Sequence, residues 1–166
     1  ELAGLQRVSA ELNSTLDLNR LLHIALEEAL RVTQADFGSV NLYDAQLGHL
    51  VAHTEQVSFE HLHPAAQPLT PNALTLATMP ALLTQALRTG KAVLVGDVRA
   101  NNSGPNLGGD LTRAKVVVPI FYGDEPAGLI NLESAQADFF NQEQQRYLEA
   151  LANQAGVAIG NTQAYQ

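Results

Sequence analysis

The sequence contains no cysteine. This absence excludes disulfide bonds, thiolate metal ligands, thiol nucleophiles and cofactors attached through a thioether. It also favours a cytoplasmic location, because disulfides are rare in that compartment. Long apolar runs are missing as well, since stretches such as residues 116–118 are far too short to cross a bilayer. We therefore expect no contact between this segment and a membrane.

Basic residues are few: Lys and Arg total 9 against 17 Asp and Glu, which gives a formal net charge of -8. A negative domain repels phosphate backbones, so we expect no nucleic-acid binding. The 166 residues suffice for one domain, and the chain opens with neither an initiator Met nor a secretory signal. We expect one domain over residues 1–166, cut from a larger protein in which residues 1–14 and about 155–166 continue into linker helices.

Helical periodicity predicts long helices at both ends of the chain. Apolar residues recur at helical spacing over residues 2–12 and again over 18–30. A last long helix follows Asn141, which can cap it together with Gln144 three residues later. A shorter helix is predicted over residues 81–88, and Gly90 lies where its C-cap would be.

Alternation of apolar and polar residues predicts five strands, over residues 37–43, 50–54, 93–95, 115–122 and 127–133. Four prolines make residues 55–80 irregular, and the glycine-rich stretch 97–110 reads as a loop. The economical packing is an α+β sandwich, with an antiparallel sheet whose one face is covered by the terminal helices. The irregular residues 55–90 and the loop 97–114 would then cover the other face, as in many small-molecule pockets.

Two asparagines interrupt otherwise apolar strands. Alternation places Asn41 on one strand face with Ser39 and Tyr43, and Asn131 on one face with Leu129 and Glu133. A buried polar group without a partner is costly, so these positions either line a wet pocket or lie at a solvated edge.

Charged residues flank the predicted loop. Asp97, Arg99 and Arg113 either form an ordinary surface salt bridge or supply an arginine fork for a carboxylate or phosphate ligand. The loop itself lacks the Lys-Ser/Thr ending of a P-loop.

Histidines could supply metal ligands. His49 and His53 share a strand face, and His61 and His63 form a second such pair. Neither pair has the helical spacing of a known metal motif, so pocket-lining or surface positions are the favoured interpretation over a metal site.

Three stretches in order resemble a GAF domain: ADFGSVNLYD at residues 35–44, RTGKAVLVGDVR at 88–99, and VVPI through GLINLES over 117–134 with Phe140 and the final helix. The resemblance implies a sandwich with a central antiparallel sheet of five to six strands, and terminal helices that pair with a second subunit as a homodimer. Members of the family lie in proteins such as histidine kinases of two-component systems and diguanylate cyclases. Their ligands include cyclic nucleotides, bilins, haem and small metabolites.

The sequence also departs from known subtypes of this family. Without cysteine it cannot attach a bilin covalently, and the cysteine chemistry of the free methionine sulfoxide reductases of this fold is excluded. The Asn-Lys-Phe-Asp-Glu signature of the cyclic-nucleotide binders is not found either. The cofactor stays unknown.

Together these patterns predict a regulatory sensor domain that binds a small molecule noncovalently and relays the signal through its terminal helices to an output domain. We expect no enzyme, and no catalytic or metal-binding residue. The alternatives are a ligand-free dimerisation module and, less favoured, a metal-dependent hydrolase that uses His49, His53 and His61. The predicted ligand-binding residues are Asn41, Tyr43, His53, Asp97, Arg99, Arg113 and Asn131.

Overall fold

An antiparallel five-stranded sheet forms the centre of the computed structural model, which describes residues 2–14, 17–44, 49–57, 81–101 and 106–164. The strands are β1 (Phe37–Asp44), β2 (His49–Val57), β3 (Val93–Val95), β4 (Ala114–Tyr122) and β5 (Glu125–Ser134). Their order across the sheet is β2-β1-β5-β4-β3. The first strand therefore pairs with the last, and both lie in the middle of the sheet.

The described residues form five α-helices: α1 (Leu2–Asn13), α2 (Leu18–Thr33), α3 (Ala81–Thr89), α4 (Val98–Asn101) and α5 (Gln142–Ala164). The α+β architecture and the order of the main elements confirm the fold predicted from the sequence. Among the described residues, no helix is long and apolar enough to cross a membrane.

Local capping explains where the two longest helices begin. The Asp17 side chain accepts hydrogen bonds from the backbone N–H groups of Asn19 and Arg20 at the start of α2. At the start of α5, the backbone N–H of Gln144 donates to Asn141 Oδ1 at 2.8 Å, and the backbone N–H of Asn141 donates to Gln144 Oε1 at 3.0 Å. This reciprocal pair is the capping box that the sequence predicts.

The two faces of the sheet pack against different elements. One face is apolar and packs against α2 and α5, which α1 contacts in turn; it includes Val40, Val116, Val118, Ile130 and Leu132. The approach of α5 is close, because a Cβ on Gly156 would lie 2.0 Å from the carbonyl oxygen of Phe121 in β4. We call this the helix face, and the opposite one the second face.

The helix α3 lies on the second face. Its Leu83, Ala86 and Leu87 are buried against Tyr43, Val117 and Leu129 of the sheet. Residues 106–112 also contact this face, and they include a short 3-10 helix at Gly109–Leu111.

Two predicted boundaries need correction. Residues 55–57 were expected to be irregular, but they continue β2 because they pair with residues 37–39 of β1. Within the predicted loop 97–114, α4 and the 3-10 helix form short elements. The proline-rich residues 58–80 and residues 102–105, which carry part of the predicted cover of the second face, lie outside the described residues.

Candidate functional site

Polar residues from three neighbouring strands meet on the second face. Register places Ser39 opposite Asn131, and Glu133 opposite Lys115. Asn41 lies two residues beyond Ser39 on the same side of β1. All five residues are at most 1% exposed. We call this group, Ser39, Asn41, Lys115, Asn131 and Glu133, the polar patch.

Glu133 connects residues 106–112 to the sheet through hydrogen bonds. Its carboxylate accepts from the backbone N–H groups of Leu107 (3.1 Å) and Gly108 (3.2 Å) and from the Thr112 hydroxyl (2.7 Å). The Asn131 amide adds a fourth donor at 2.8 Å. Because all four partners are donors, the arrangement suits the ionised carboxylate.

Lys115 supplies the positive charge of the polar patch. Its Nζ lies 3.7 Å from Glu133 Oε2 and donates to Asn106 Oδ1 at 3.0 Å. Burial lowers the pKa of Lys115, and the attraction of the Glu133 carboxylate opposes this shift. One carboxylate faces one ammonium group. The polar patch therefore carries no net charge when both Glu133 and Lys115 are charged.

The two asparagines present unused acceptors. Asn131 turns its amide nitrogen to Glu133, and Asn41 Nδ2 lies 3.4 Å from Ser39 Oγ. The Oδ1 atoms of both are buried and find no hydrogen-bond partner among the residues that the structure describes. An unsatisfied buried acceptor costs about 1–3 kcal/mol. Two of them on one sheet face mark a place where a hydrogen-bond donor from beyond the described residues would be favourable.

An apolar surface borders the polar patch. Asn131 lies opposite Val117, and Asn41 lies opposite Leu129. Both apolar residues belong to the cluster beneath α3, together with Tyr43, which is 8% exposed. The second face therefore joins buried hydrogen-bonding groups to an apolar neighbour, the combination that small-molecule sites use.

Asp97 and Arg113, both predicted to bind ligand, bind each other. Arg113 donates from Nε to Asp97 Oδ1 at 3.2 Å and from its terminal nitrogen to Oδ2 at 2.6 Å. The Arg113 hydrogen bonds, followed by one from the Arg99 backbone N–H, lower the pKa of Asp97 to about 2. Both charged side chains are about one-third exposed, at 30% and 32%. Of the two alternatives that the sequence offered, this geometry corresponds to the surface salt bridge. The guanidinium of Arg113 binds a carboxylate of its own chain.

The other predicted residues are placed as follows. Asn41, Tyr43 and Asn131 come together on the second face. Arg99 is exposed on α4. The backbone of His53 pairs with Asn41, and its side chain, like that of His49, lies outside the described part of the chain, as do His61 and His63. Among the residues described, no group of three or more His, Asp or Glu is placed to hold a metal ion.

A second polar cluster lies on the helix side of the sheet. Glu28 of α2 is 4% exposed and accepts from Arg31 at 2.8 Å, from Arg7 of α1 at 3.4 Å and from the Tyr147 hydroxyl of α5. Burial opposes ionisation of Glu28, but the hydrogen bonds from Arg31 and Tyr147 outweigh it and lower its pKa. Burial, reinforced by the Glu28 carboxylate, raises the pKa of Tyr147 to about 12. The cluster joins the three long helices.

An open groove of about 650 Å³ lies beside this helix junction. Its lining includes Arg31, Arg146 and Tyr147. It is separated from the polar patch by the sheet, and its lining side chains belong to the helices and to the residue before α5.

Sequence reasoning missed the contribution of Lys115, Thr112 and Asn106. A lysine at the start of a strand is normally an exposed residue, and nothing in the local pattern distinguished this one. The even spacing of Asn131 and Glu133 in β5 was the available signal that a carboxylate lies beside the amide.

A family model described as GAF domain matches residues 15–160. Among solved structures, the chain is similar to a free methionine-R-sulfoxide reductase from Neisseria meningitidis, with a TM-score of 0.77 and 20% identity over 98% of this chain and 89% of that one. It is also similar to the GAF domain of a phosphoenolpyruvate-protein phosphotransferase from Acinetobacter, with a TM-score of 0.76 and 19% identity over 99% and 95% of the two chains. No curated protein matches the chain.

The expectation that the chain is not an enzyme was wrong and is corrected by these structures. Besides the Neisseria enzyme, a type II free methionine-R-sulfoxide reductase from Thermoplasma acidophilum matches with a TM-score of 0.65 and 18% identity, over 93% of this chain and 96% of that one. The physical reason is that one fold carries many kinds of site, so a scaffold shared with sensory domains does not exclude catalysis. At such identities the likeness shows the fold alone.

Proposed function

Because the chain belongs to the GAF domain family, a family of sensory and regulatory domains found in signalling proteins, we propose that it binds a small molecule noncovalently on its second face. Asn41 and Asn131 form the polar floor of this site, and Tyr43 lies in the apolar surface beside it. The bound molecule biases the terminal helices and, through them, an output domain such as a histidine kinase or a diguanylate cyclase.

The observation that carries the proposal is the pair of unpartnered amide oxygens. A sheet face needed only for packing would be filled by apolar side chains, as the helix face is. Here Asn41 and Asn131 are each 1% exposed, and each keeps an acceptor without a partner among the described residues. Local rules of stability are broken most often where a protein binds or reacts, so this cost supports a binding role.

The strands offer a short physical route to the helices. In β4, Lys115 and Val117 face the second side, while Val116 and Val118 pack under the helices. A shift of β4 on binding would press directly on α5, because the Gly156 approach leaves no free space between them. Packed elements move as units, so the proposed relay is a small displacement of α5 on the sheet.

A thermal-shift screen of a broad metabolite library, with anionic, cationic and neutral members, tests the proposal. We expect at least one compound to raise the melting temperature of the wild type, and Asn131→Leu to abolish that rise. The matched control is Asn19→Leu, the same substitution at an exposed position of α2. Hydrogen exchange with the bound compound should show protection in β1 and β5 together with changed exchange in α5.

Two results would count against this function. If no compound stabilises the protein, the site is not a binding site. If a compound binds equally well to the wild type and to Asn131→Leu, the ligand binds elsewhere. The homodimer, the cytoplasmic location, and the roles of His53, Asp97, Arg99 and Arg113 in binding stay predictions.

A further inference from the structure

We propose that the molecule bound over the polar patch presents N–H donors to Asn41 and Asn131, and is a primary amide or a primary ammonium carried on an apolar body. This inference deepens the proposed function and rests on it. It names the chemical class of the ligand from the groups that the second face leaves unsatisfied.

The orientation of Asn131 is fixed by its neighbour. The Glu133 carboxylate already accepts from two backbone N–H groups and a hydroxyl, and such a group offers only acceptor atoms to the amide. Asn131 must therefore turn its NH2 to Glu133, at 2.8 Å, and its carbonyl oxygen faces away. The unmatched atom at this position is an acceptor, and only a donor can satisfy it.

Asn41 adds a second acceptor nearby. Ser39 lies directly opposite Asn131, so Asn41, two residues along β1, is the diagonal neighbour of Asn131 on the same sheet face. Diagonal neighbours on one face of an antiparallel pair are near enough for their side chains to interact, so one ligand can contact both amide oxygens. A primary amide or ammonium nitrogen carries at least two N–H bonds, which can meet two acceptors at once.

The electrostatics of the polar patch disfavour an anion. Lys115 is the cation of the polar patch, and it already faces the Glu133 carboxylate at 3.7 Å and Asn106 Oδ1 at 3.0 Å. A phosphate or carboxylate placed at the asparagines would meet two carbonyl dipoles and the nearby Glu133 charge, in a site that water does not screen. The same carbonyl dipoles and the Glu133 carboxylate attract a neutral or cationic hydrogen-bond donor.

The rest of the ligand is indicated by the strand register. Val117 lies opposite Asn131 and Leu129 lies opposite Asn41, and both belong to the apolar cluster under α3. A donor head group at the asparagines therefore has apolar side chains directly beside it. An alkyl or aromatic body attached to the donor would gain burial there.

The test uses matched sets of small compounds that differ only in their polar group. Each set contains a primary amide, its N,N-dimethyl amide and its carboxylate, or a primary ammonium and its trimethylammonium counterpart. The dimethyl and trimethyl forms keep the polarity or charge and lack every N–H. Affinities are measured by calorimetry and by thermal shift with the full chain.

We expect the donor compounds to bind the wild type about tenfold or more tightly than their methylated counterparts, as for a hydrogen bond to a buried acceptor. In Asn131→Leu this preference should vanish, so that both members of a pair bind equally weakly. Asn41→Leu, whose amide contacts only Ser39 among the described partners, should reduce the preference without disturbing Glu133. The control Asn19→Leu should leave it unchanged.

The contrary outcomes separate the two proposals. If the carboxylates or the methylated forms bind as well as the donors, and Asn131→Leu still abolishes binding, the ligand class is wrong and the binding function stands. If no donor compound binds while the broad library yields an Asn131-dependent ligand of another kind, the class is again wrong. If neither library yields any Asn131-dependent ligand, the proposed function itself fails.

Discussion

Replacing Asn41 by leucine should make the ligand-free protein more stable, although it changes a fully buried residue of a central strand. The carboxamide oxygen of Asn41 has no partner among the described residues, which costs about 1–3 kcal/mol. Its nitrogen makes one long hydrogen bond, 3.4 Å to Ser39 Oγ, and the loss of that bond removes only about 0.5 kcal/mol. Leucine has nearly the same size as asparagine. Its imperfect fit reduces the gain in the free energy of unfolding by roughly another 0.5–1 kcal/mol.

We therefore expect Asn41→Leu to raise the free energy of unfolding by about 1 kcal/mol. For a domain of this size that corresponds to a melting temperature about 2–4 °C higher. Urea unfolding at neutral pH, followed by circular dichroism, measures it, and the midpoint should rise without a change in slope. In the presence of a bound ligand the order should reverse, because the wild type alone gains the full stabilisation of binding.

A destabilisation of about 1 kcal/mol or more would contradict this expectation. It would mean that the Asn41 oxygen has a hydrogen-bond partner in the ligand-free protein, and that the residue is structural. Asn19→Leu, at an exposed site on α2, should change the free energy of unfolding by no more than about 0.5 kcal/mol, and so it controls for the general effect of the substitution.

Three further predictions concern the framework around the site. Gly156→Ala should lower the free energy of unfolding by about 1–3 kcal/mol in urea titrations, because the new methyl group would lie 2.0 Å from a backbone oxygen of β4. The control Val157→Ala, at the exposed neighbouring position, should lower it by about 0.5 kcal/mol or less. The Tyr147 pKa is raised to about 12, so its hydrogen bond contributes stability that is complete below pH 10 and is lost as the pH rises towards 12; the stability difference between wild type and Tyr147→Phe should shrink over that range. Carboxyl NMR should show Asp97 titrating at about 2, and Arg113→Gln should return its pKa towards 3.8; the salt bridge then contributes stability above pH 4 that is lost as the pH falls towards 2.

Local patterns predicted the long helices and the strands because most of these elements carry their own signal, whereas the short α4 and the 3-10 helix do not. The alternation of residues 37–43 and the capping box at Asn141 and Gln144 correspond to β1 and to the start of α5. The pairing of β1 with β5 has no local signal, since about ninety residues separate them and the pairing depends on the packing of the whole sheet. The strand β2 extends to Val57 for the same reason, because its partner in β1 continues to Phe37.

Strand alternation predicts which face of its own strand a residue lies on, and the polar floor of the site was predictable only that far. Asn41 and Asn131 were each assigned a face from their own strand, and the structure brings those faces together. Lys115 was not predicted, because its burial depends on Glu133 across the sheet and on Asn106 in a loop. For Asp97 and Arg113 the sequence left both a salt bridge and a ligand-binding arginine fork open, and only the structure could show that the two side chains bind each other.

The most direct measurement is an experimental structure of the chain bound to the compound that stabilises it most. We expect this molecule to lie on the second face, with a nitrogen donor within hydrogen-bond distance of Asn131 Oδ1 and its apolar part beside Val117 and Leu129. A ligand found in the groove lined by Arg31 and Tyr147, with the Asn131 oxygen still without a partner, would contradict it.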